Sequence, residues 1–257
     1  IARAASKPAT ILGVLENPSE RKLLDRALAQ GQEWLAGAPP PELKVRKGHA
    51  AEEILKEAEA GAYDLVVLGA RGRRGITRFL MGSTAERIAR HSSLPVLIVR
   101  GWLTKIEKIL ICTAAGEPGL AAVETGGRLA ALVGAEVTVL HVMSQVPATY
   151  LSTRDLEDLE GRADDLMAHR SREGVHLKKA LALLGDMGVS ARARVRHGLV
   201  VDEIMHEACG QPYDMVVIGT HIAPGWMRFL LEDVTRQLIS CIDRAILVAK
   251  TPAGESH

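Results

Sequence analysis

Short continuous apolar runs alternate along this chain with stretches of helical period, and the alternation predicts strands and helices in turn. Leu65 to Leu68 is apolar at every position, which suits a strand buried on both faces of a parallel sheet. Ile106 to Cys112, Val137 to Val142, Met215 to Ile218 and Ala245 to Val248 read the same way. Val189 to Val195 alternates apolar and charged residues and fits a strand nearer the sheet edge. Helices are predicted over Pro118 to Val133, closed by Gly134, over Val200 to Cys209 and over Val234 to Ser240. A charged helical segment runs from about Thr153 to Leu184, broken near Gly174, with Gly185 and Gly188 as stop signals. Ahead of these, Ile1 to Ser6 looks like the end of a helix, Thr10 to Leu15 and Leu43 to Lys47 read as strands, and Arg21 to Leu35 and Glu52 to Glu59 as helices. Thr84 to Arg90 has helical composition, and Pro95 to Val99 reads as a strand.

The pattern repeats itself. Written without gaps at an offset of 150 residues, GHAAEEILKEAEAGAYDLVVLGARGRRGITRFL from Gly48 lies on GLVVDEIMHEACGQPYDMVVIGTHIAPGWMRFL from Gly198. Glu53/Glu203, Tyr63/Tyr213, Asp64/Asp214, Gly69/Gly219 and Phe79/Phe229 are among the identities. Two copies of one domain are therefore expected, over residues 1–100 and 106–250, joined by the short linker Arg100 to Lys105. The second copy reads β-α-β-α-β-α-β-α-β, the order of an α/β doubly wound parallel sheet. The first lacks the opening strand and most of the opening helix, so a complete copy would carry about forty more residues upstream.

At 257 residues with 47% hydrophobic side chains, the chain has material for two aliphatic cores, since aromatics are only 3%. A net charge of +1 gives no support for a polyanion-binding surface. Cys112, Cys209 and Cys241 have no metal or redox spacing and read as small core residues of a reducing compartment. No apolar run reaches the ~20 residues of a spanning helix, so no membrane insertion is expected of this chain. No histidine pair has zinc-protease spacing, and His141, at a strand end, reads as a structural residue before a ligand. Trp34, Trp102 and Trp226 read as packing or interface residues.

The candidate chemistry lies after Leu68. Gly69, Gly72, Gly75 and Gly82 follow the strand, and Ser83 and Thr84 open the next helix. Glycine permits close backbone approach to an anion, and a helix start supplies free N–H groups and a favourable dipole. The same glycines would also serve a plain strand-to-helix crossover with Ser83 as its N-cap. Arg71, Arg73, Arg74 and Arg78 make the loop basic, either to reach phosphates or as a solvated loop. There is no GxxxxGK[ST] loop and no GxSxG elbow.

The complete pattern Gly69-x2-Gly72-x9-Gly82-Ser83, followed by HSSLPVLIV, resembles the nucleotide-binding signature of the universal stress protein family. The resemblance implies a five-stranded sheet of order 3-2-1-4-5 in each copy, with ATP or AMP, with or without Mg2+, held at the strand ends. On it Leu68, Gly69 and Gly72 would line base, ribose and phosphates, Gly82, Ser83 and Thr84 would hold the phosphates with Arg71 beside them, and Val14 would touch the adenine. The family's acidic residue after the first strand would lie upstream of Ile1, so weak or no binding is expected of the chain as it stands. The second copy departs at Ile222 for the second glycine, at Glu232-Asp233 for Gly82-Ser83 and at Ala114 for the acidic residue, which implies a non-binding partner.

The expected function is a cytoplasmic nucleotide-binding regulatory module with at most slow ATP hydrolysis. Rival readings are the cytosolic regulatory tail of a membrane transporter and a slow ATPase. The two final strands, short and apolar, predict an intramolecular pseudo-dimer with Leu97, Val99, Leu247 and Val248 in its seam and Trp102 nearby. A homodimer and an unidentified protein partner remain open, and no nucleic acid is expected.

Overall fold

The computed structural model describes residues 1–5, 7–70, 82–101, 103–143, 163–168, 171–220 and 227–250. The first repeat supplies β1 (Thr10–Leu15), α1 (Arg21–Trp34), β2 (Glu42–Lys47), α2 (Ala50–Ala60), β3 (Val66–Gly69), α3 (Ser83–His91) and β4 (Val96–Val99). The second supplies β5 (Lys108–Thr113), α4 (Glu117–Val133), β6 (Glu136–Met143), α5 (Ala163–Ala168), α6 (Arg172–Asp186), β7 (Ala191–His197), α7 (Val200–Gly210), β8 (Met215–Thr220), α8 (Met227–Cys241) and β9 (Ala245–Lys250). Two expectations are corrected. The helical segment ending near Leu184 starts afresh at Arg172, because the Ser171 hydroxyl accepts from Gly174 N at 3.0 Å and caps α6, so Gly174 lies inside a first turn and is no break. The helix expected from Val234 begins seven residues earlier, at Met227.

Seven strands form one sheet in the order β3-β4-β9-β8-β5-β6-β7, and every neighbouring pair is parallel except β4 with β9. Within the second repeat the order β7-β6-β5-β8-β9 is 3-2-1-4-5, with the alternating strand β7 on the edge. The first repeat realises this order only in halves. Its β3 and β4 join the large sheet, whereas β1 and β2 form a separate parallel pair, and among the described residues no strand lies between β1 and β3.

The seam is the pairing of β4 with β9, in which Val96 faces Val248, Leu97 faces Leu247 and Ile98 faces Ile246. Leu97 and Leu247 are themselves equivalent at the 150-residue offset, so a pseudo-twofold axis passes between them. Both are 1% exposed, and the four flanking residues are fully buried. Side chains alternate across the sheet. Leu97 and Leu247 join the core beneath α4 and α6, while Val96, Ile98, Ile246 and Val248 join the core shared by α3, α7 and α8. Val99 lies just past the paired register and packs on the first core. Trp102 and Trp226 lie outside the described residues, and Trp34 is exposed at the end of α1 rather than packed.

Equivalent positions have unequal surroundings. Val217 is fully buried beneath Gly126 of α4, where an added Cβ would come within 3.2 Å of its Cγ2. Its counterpart Val67 is 53% exposed. Asp214 accepts from Glu107 N at 2.8 Å and Lys108 N at 2.9 Å, fastening the start of β5, whereas its counterpart Asp64 meets the exposed Lys7 Nζ at 3.1 Å. In place of a central strand and covering helix, the first repeat has a cavity of 1240 Å³, lined by Ile11, Val67, Leu97, Leu129 and Leu247 among others. Residues 1–5 lie against it and close one turn, with Ala5 N donating to Ile1 O at 2.9 Å.

One polar network is duplicated. Glu57 accepts from Lys44 Nζ at 2.9 Å, Arg46 Nε at 2.7 Å and Tyr63 Oη at 2.7 Å. Glu207, 1% exposed, is met at the equivalent positions by Arg194, Arg196 and Tyr213. Each network ties the repeat's third strand to the helix after it, and its acceptors are satisfied as buried carboxylates require. Of the cysteines only Cys112 is a core residue, its thiol pushed up by burial, and Cys209 and Cys241 are exposed. No helix of the described residues is long and apolar enough to cross a membrane.

Two outcomes follow. Val217→Ala should cost about 1.5–3 kcal/mol in urea denaturation and Val67→Ala less than about 0.5, because only the first removes buried methyls; equal costs would contradict the asymmetry. The Tyr63 hydroxyl, Lys44 and Arg46 hold the Glu57 carboxyl down to about 2, from an ordinary 4.5. Its stabilisation is therefore complete above the ordinary value and lost as pH falls through the depressed one, so Glu57→Gln should flatten the loss of stability between about pH 5 and about pH 2.

Candidate functional site

The carboxyl end of β3 leads into the glycine segment, and the structure brings its two ends together. Gly82 N donates to Ala70 O at 3.4 Å, and Ala70 N to Val99 O at 2.9 Å, so α3 starts beside the strand ends. Gly82 is the N-cap of α3, with extended backbone and no side-chain acceptor. The first N–H groups of α3 thus lack the hydroxyl cap that Ser171 gives α6, and they carry the positive end of the helix dipole. That is a local geometry for an anion, with Ser83 and Thr84 in the same turn. Leu68 is half-buried at the end of β3 on the α3 side of the sheet.

Other predicted site residues are placed differently. Arg71 and Gly72 lie outside the described residues, as do Arg73, Arg74, Gly75 and Arg78. Val14 is on β1, in the two-stranded sheet, and no strand of the described residues joins it to Leu68 and Gly69. Gly69 has open space where a Cβ would sit, but its counterpart Gly219 meets Ala122 Cβ at 3.3 Å and Pro118 O at 3.6 Å. In the second repeat this glycine therefore admits a helix close to the strand. None of the predicted nucleotide residues lines the 1240 Å³ cavity, which lies largely on the α4 side of the sheet.

In the second repeat the carboxyl ends of β5 and β6 carry a buried histidine pair. His176, reaching in from α6, accepts from Gly116 N at Nδ1 (3.3 Å), so its Nε2–H donates to Thr113 Oγ1 at 2.8 Å, and that hydroxyl donates to Ala114 O at 3.2 Å. His141 Nδ1–H donates to Thr113 O at 3.0 Å, a structural role as expected. Thr113, His141 and His176 are all 5–7% exposed. Ile222 lies outside the described residues, and Glu232 and Asp233 fall inside α8 instead of at its start. Among the described residues no three His, Cys, Asp or Glu side chains are grouped to hold a metal.

The family model described as "Universal stress protein family" matches residues 3–100 and again 105–250. The chain belongs to the universal stress protein family. It is 43% identical over 57 residues to universal stress protein MJ0531 of Methanocaldococcus jannaschii, a stretch covering 22% of this chain and 34% of that one. It is 39% identical over 59 residues to universal stress protein Slr1230 of Synechocystis, 23% of this chain and 21% of that one. The matches thus span about a third or less of these curated relatives' own lengths. Among solved structures, a universal stress protein from Archaeoglobus fulgidus shares the fold with a TM-score of 0.68 at 17% identity, covering 96% of this chain and 89% of that one. A functionally unknown protein from Pseudomonas aeruginosa, PA1789, does so at 0.64 and 15%, covering 96% and 83%.

The described residues of this universal stress protein thus hold a glycine-capped helix start in the first repeat and a pair of buried histidines in the second. Sequence reasoning missed His176, because it lies some sixty residues from the backbone it bonds and no spacing announces it. Its burial, with the charge of His141 next, holds it below the ordinary 6.5. The unfolded chain therefore binds more protons below that value, and acidification from about pH 7 to about pH 5 should destabilise the protein. His176→Gln should remove part of that slope in urea melts; an unchanged slope would mean that the ring already accepts a proton in the fold.

Proposed function

We propose that this universal stress protein is a nucleotide-binding regulatory module in which the first repeat, residues 1–100, takes the phosphates of ATP or AMP at the start of α3. The observation that carries the reading is the glycine N-cap: Gly82 offers the first N–H groups of α3 no side-chain acceptor of its own and is tied to Ala70 at the end of β3. A helix start of this kind stabilises an anion by direct hydrogen bonds and by the dipole. The Gly69-x2-Gly72-x9-Gly82-Ser83 pattern supports a nucleotide as the source of that anion, with Leu68 and Val14 towards the base and Arg71 towards the phosphates. Nucleotide binding would change the surface offered to a partner. The second repeat, residues 106–250, serves as scaffold. Among the described residues no strand joins β1 to β3, so the reading is tested on an extended chain.

Equilibrium dialysis of AMP and ATP against a chain extended ahead of Ile1 by a strand and helix like β5 and α4 should saturate at one site per chain. Gly82→Glu should abolish binding, since the carboxylate would stand at the helix start and repel phosphate. Two equal sites, or retention of binding by Gly82→Glu, would overturn the proposal.

A further inference from the structure

Each repeat's last strand leads to a cation that crosses the seam. Arg100, just past β4, donates from Nη2 to the Ile239 carbonyl in the last turns of α8. Lys250, ending β9, donates from Nζ to the Ala89 carbonyl at 2.5 Å, with the Arg90 carbonyl at 3.5 Å, in the last turn of α3. The two cations are 150 positions apart, and so are Ala89 and Ile239; one contact is repeated by the pseudo-twofold. Its direction follows from the pleat, since Val96 and Ile98, and Ile246 and Val248, point to the face carrying α3 and α8, and positions 100 and 250 continue those rows.

The acceptors are helix C-termini, where the last four carbonyls have no partner inside the helix and the dipole is negative. In α3 the Ser92 N–H already closes the Ile88 carbonyl, which leaves Ala89 and Arg90 for the cation. A helix of nine residues is about 13 Å long and marginal by itself, so a charge at its end bears on the whole of it. The two caps also differ in chemistry. Among the described residues the Arg100 guanidinium has a buried Nε without a hydrogen-bond partner, whereas Lys250 is a single ammonium with no carboxylate against it, pulled by burial to about 8.

We propose that Lys250 of the second repeat is a positioning residue for α3, so that the second repeat holds from behind the helix whose front is the candidate phosphate site of the first. The consequence for phosphate rests on the reading in the preceding subsection; the cap itself does not. The seam is then a coupling as well as a packing surface: loosening β9 releases α3, and α3 carries the change to Gly82 and Ser83.

Hydrogen exchange of the unliganded chain tests the cap. Lys250→Met, which keeps the stem and removes the charge, should speed exchange of the α3 amides by about tenfold, with Lys250→Arg near the parent and Arg100→Met acting on α8 instead. In the N-terminally extended chain, Lys250→Met should weaken AMP roughly threefold to tenfold and leave adenosine unchanged, because the dipole acts on the phosphate. Unchanged α3 exchange in Lys250→Met overturns the proposal, and equal losses for AMP and adenosine overturn the link to phosphate. Should the extended parent bind no nucleotide while α3 still responds and Lys250→Arg restores it, the cap stands and the phosphate reading alone falls.

Discussion

β4 and β9 are each the last strand of a repeat, and each would present a short apolar edge if left alone. Exposed edges of that kind invite pairing with other chains. Here each edge satisfies the other, antiparallel, about an axis between Leu97 and Leu247. The remainder of the architecture depends on this contact. It makes the two repeats' strands one seven-stranded sheet, and it extends the core beneath α8 to Ile88 and Ala89 of α3. It also sets positions 100 and 250 where their cations reach the opposite helices.

Because the repeats match without gaps over the stretch from Gly48 to Phe79, differences between equivalent positions there isolate the effect of environment from that of residue type. Valine at 67 and 217 is the same side chain on the same strand of the fold, yet one is half exposed and the other buried, since only the second lies under a helix. Aspartate at 64 and 214 likewise meets an exposed lysine in one case and two backbone N–H groups in the other. An exposed ion pair such as Asp64 with Lys7 contributes little, on the order of 0–1 kcal/mol. The Asp214 bonds hold a strand start in register, which is worth more to the fold than the pair energy suggests. By contrast, the networks around Glu57 and Glu207 are nearly the same, because their partners all come from the repeat's own third strand and the loop just past the following helix.

Most of the fold was legible because burial on both faces leaves near-continuous apolar runs, and because the 150-residue offset converts one readable copy into two. The seam followed from the short apolar final strands, and the strand order from the family resemblance. What was not legible depends on distant or permissive residues. The early start of α8 lies in Trp226-Met227-Arg228-Phe229, whose composition suits a helix or a loop equally. The role of Gly219 against Ala122 and Pro118 needs the packed helix to be seen, and glycine spacing alone left phosphate binding and a plain crossover both open. His176 acts on Thr113 and Gly116 across the width of the repeat, and the two lone histidines of the sequence gave no sign that they fill one place.

On the proposed reading, the second repeat is constrained by the candidate site of the first. Its β9 supplies both the strand that completes the sheet beside β4 and the ammonium at the C-terminus of α3. A helix of nine residues with a glycine N-cap has little to hold it at its front, so its order must come from the face it buries and from its far end. Ile88 and Ala89 bury that face against the common core, and Lys250 closes the far end, both with help from the other repeat. Selection on β9 would therefore act through α3 as well as through the stability of the second repeat. The uncapped front and the capped back belong to one arrangement, in which the N–H groups of α3 remain open to an anion because the rest of the helix is secured elsewhere.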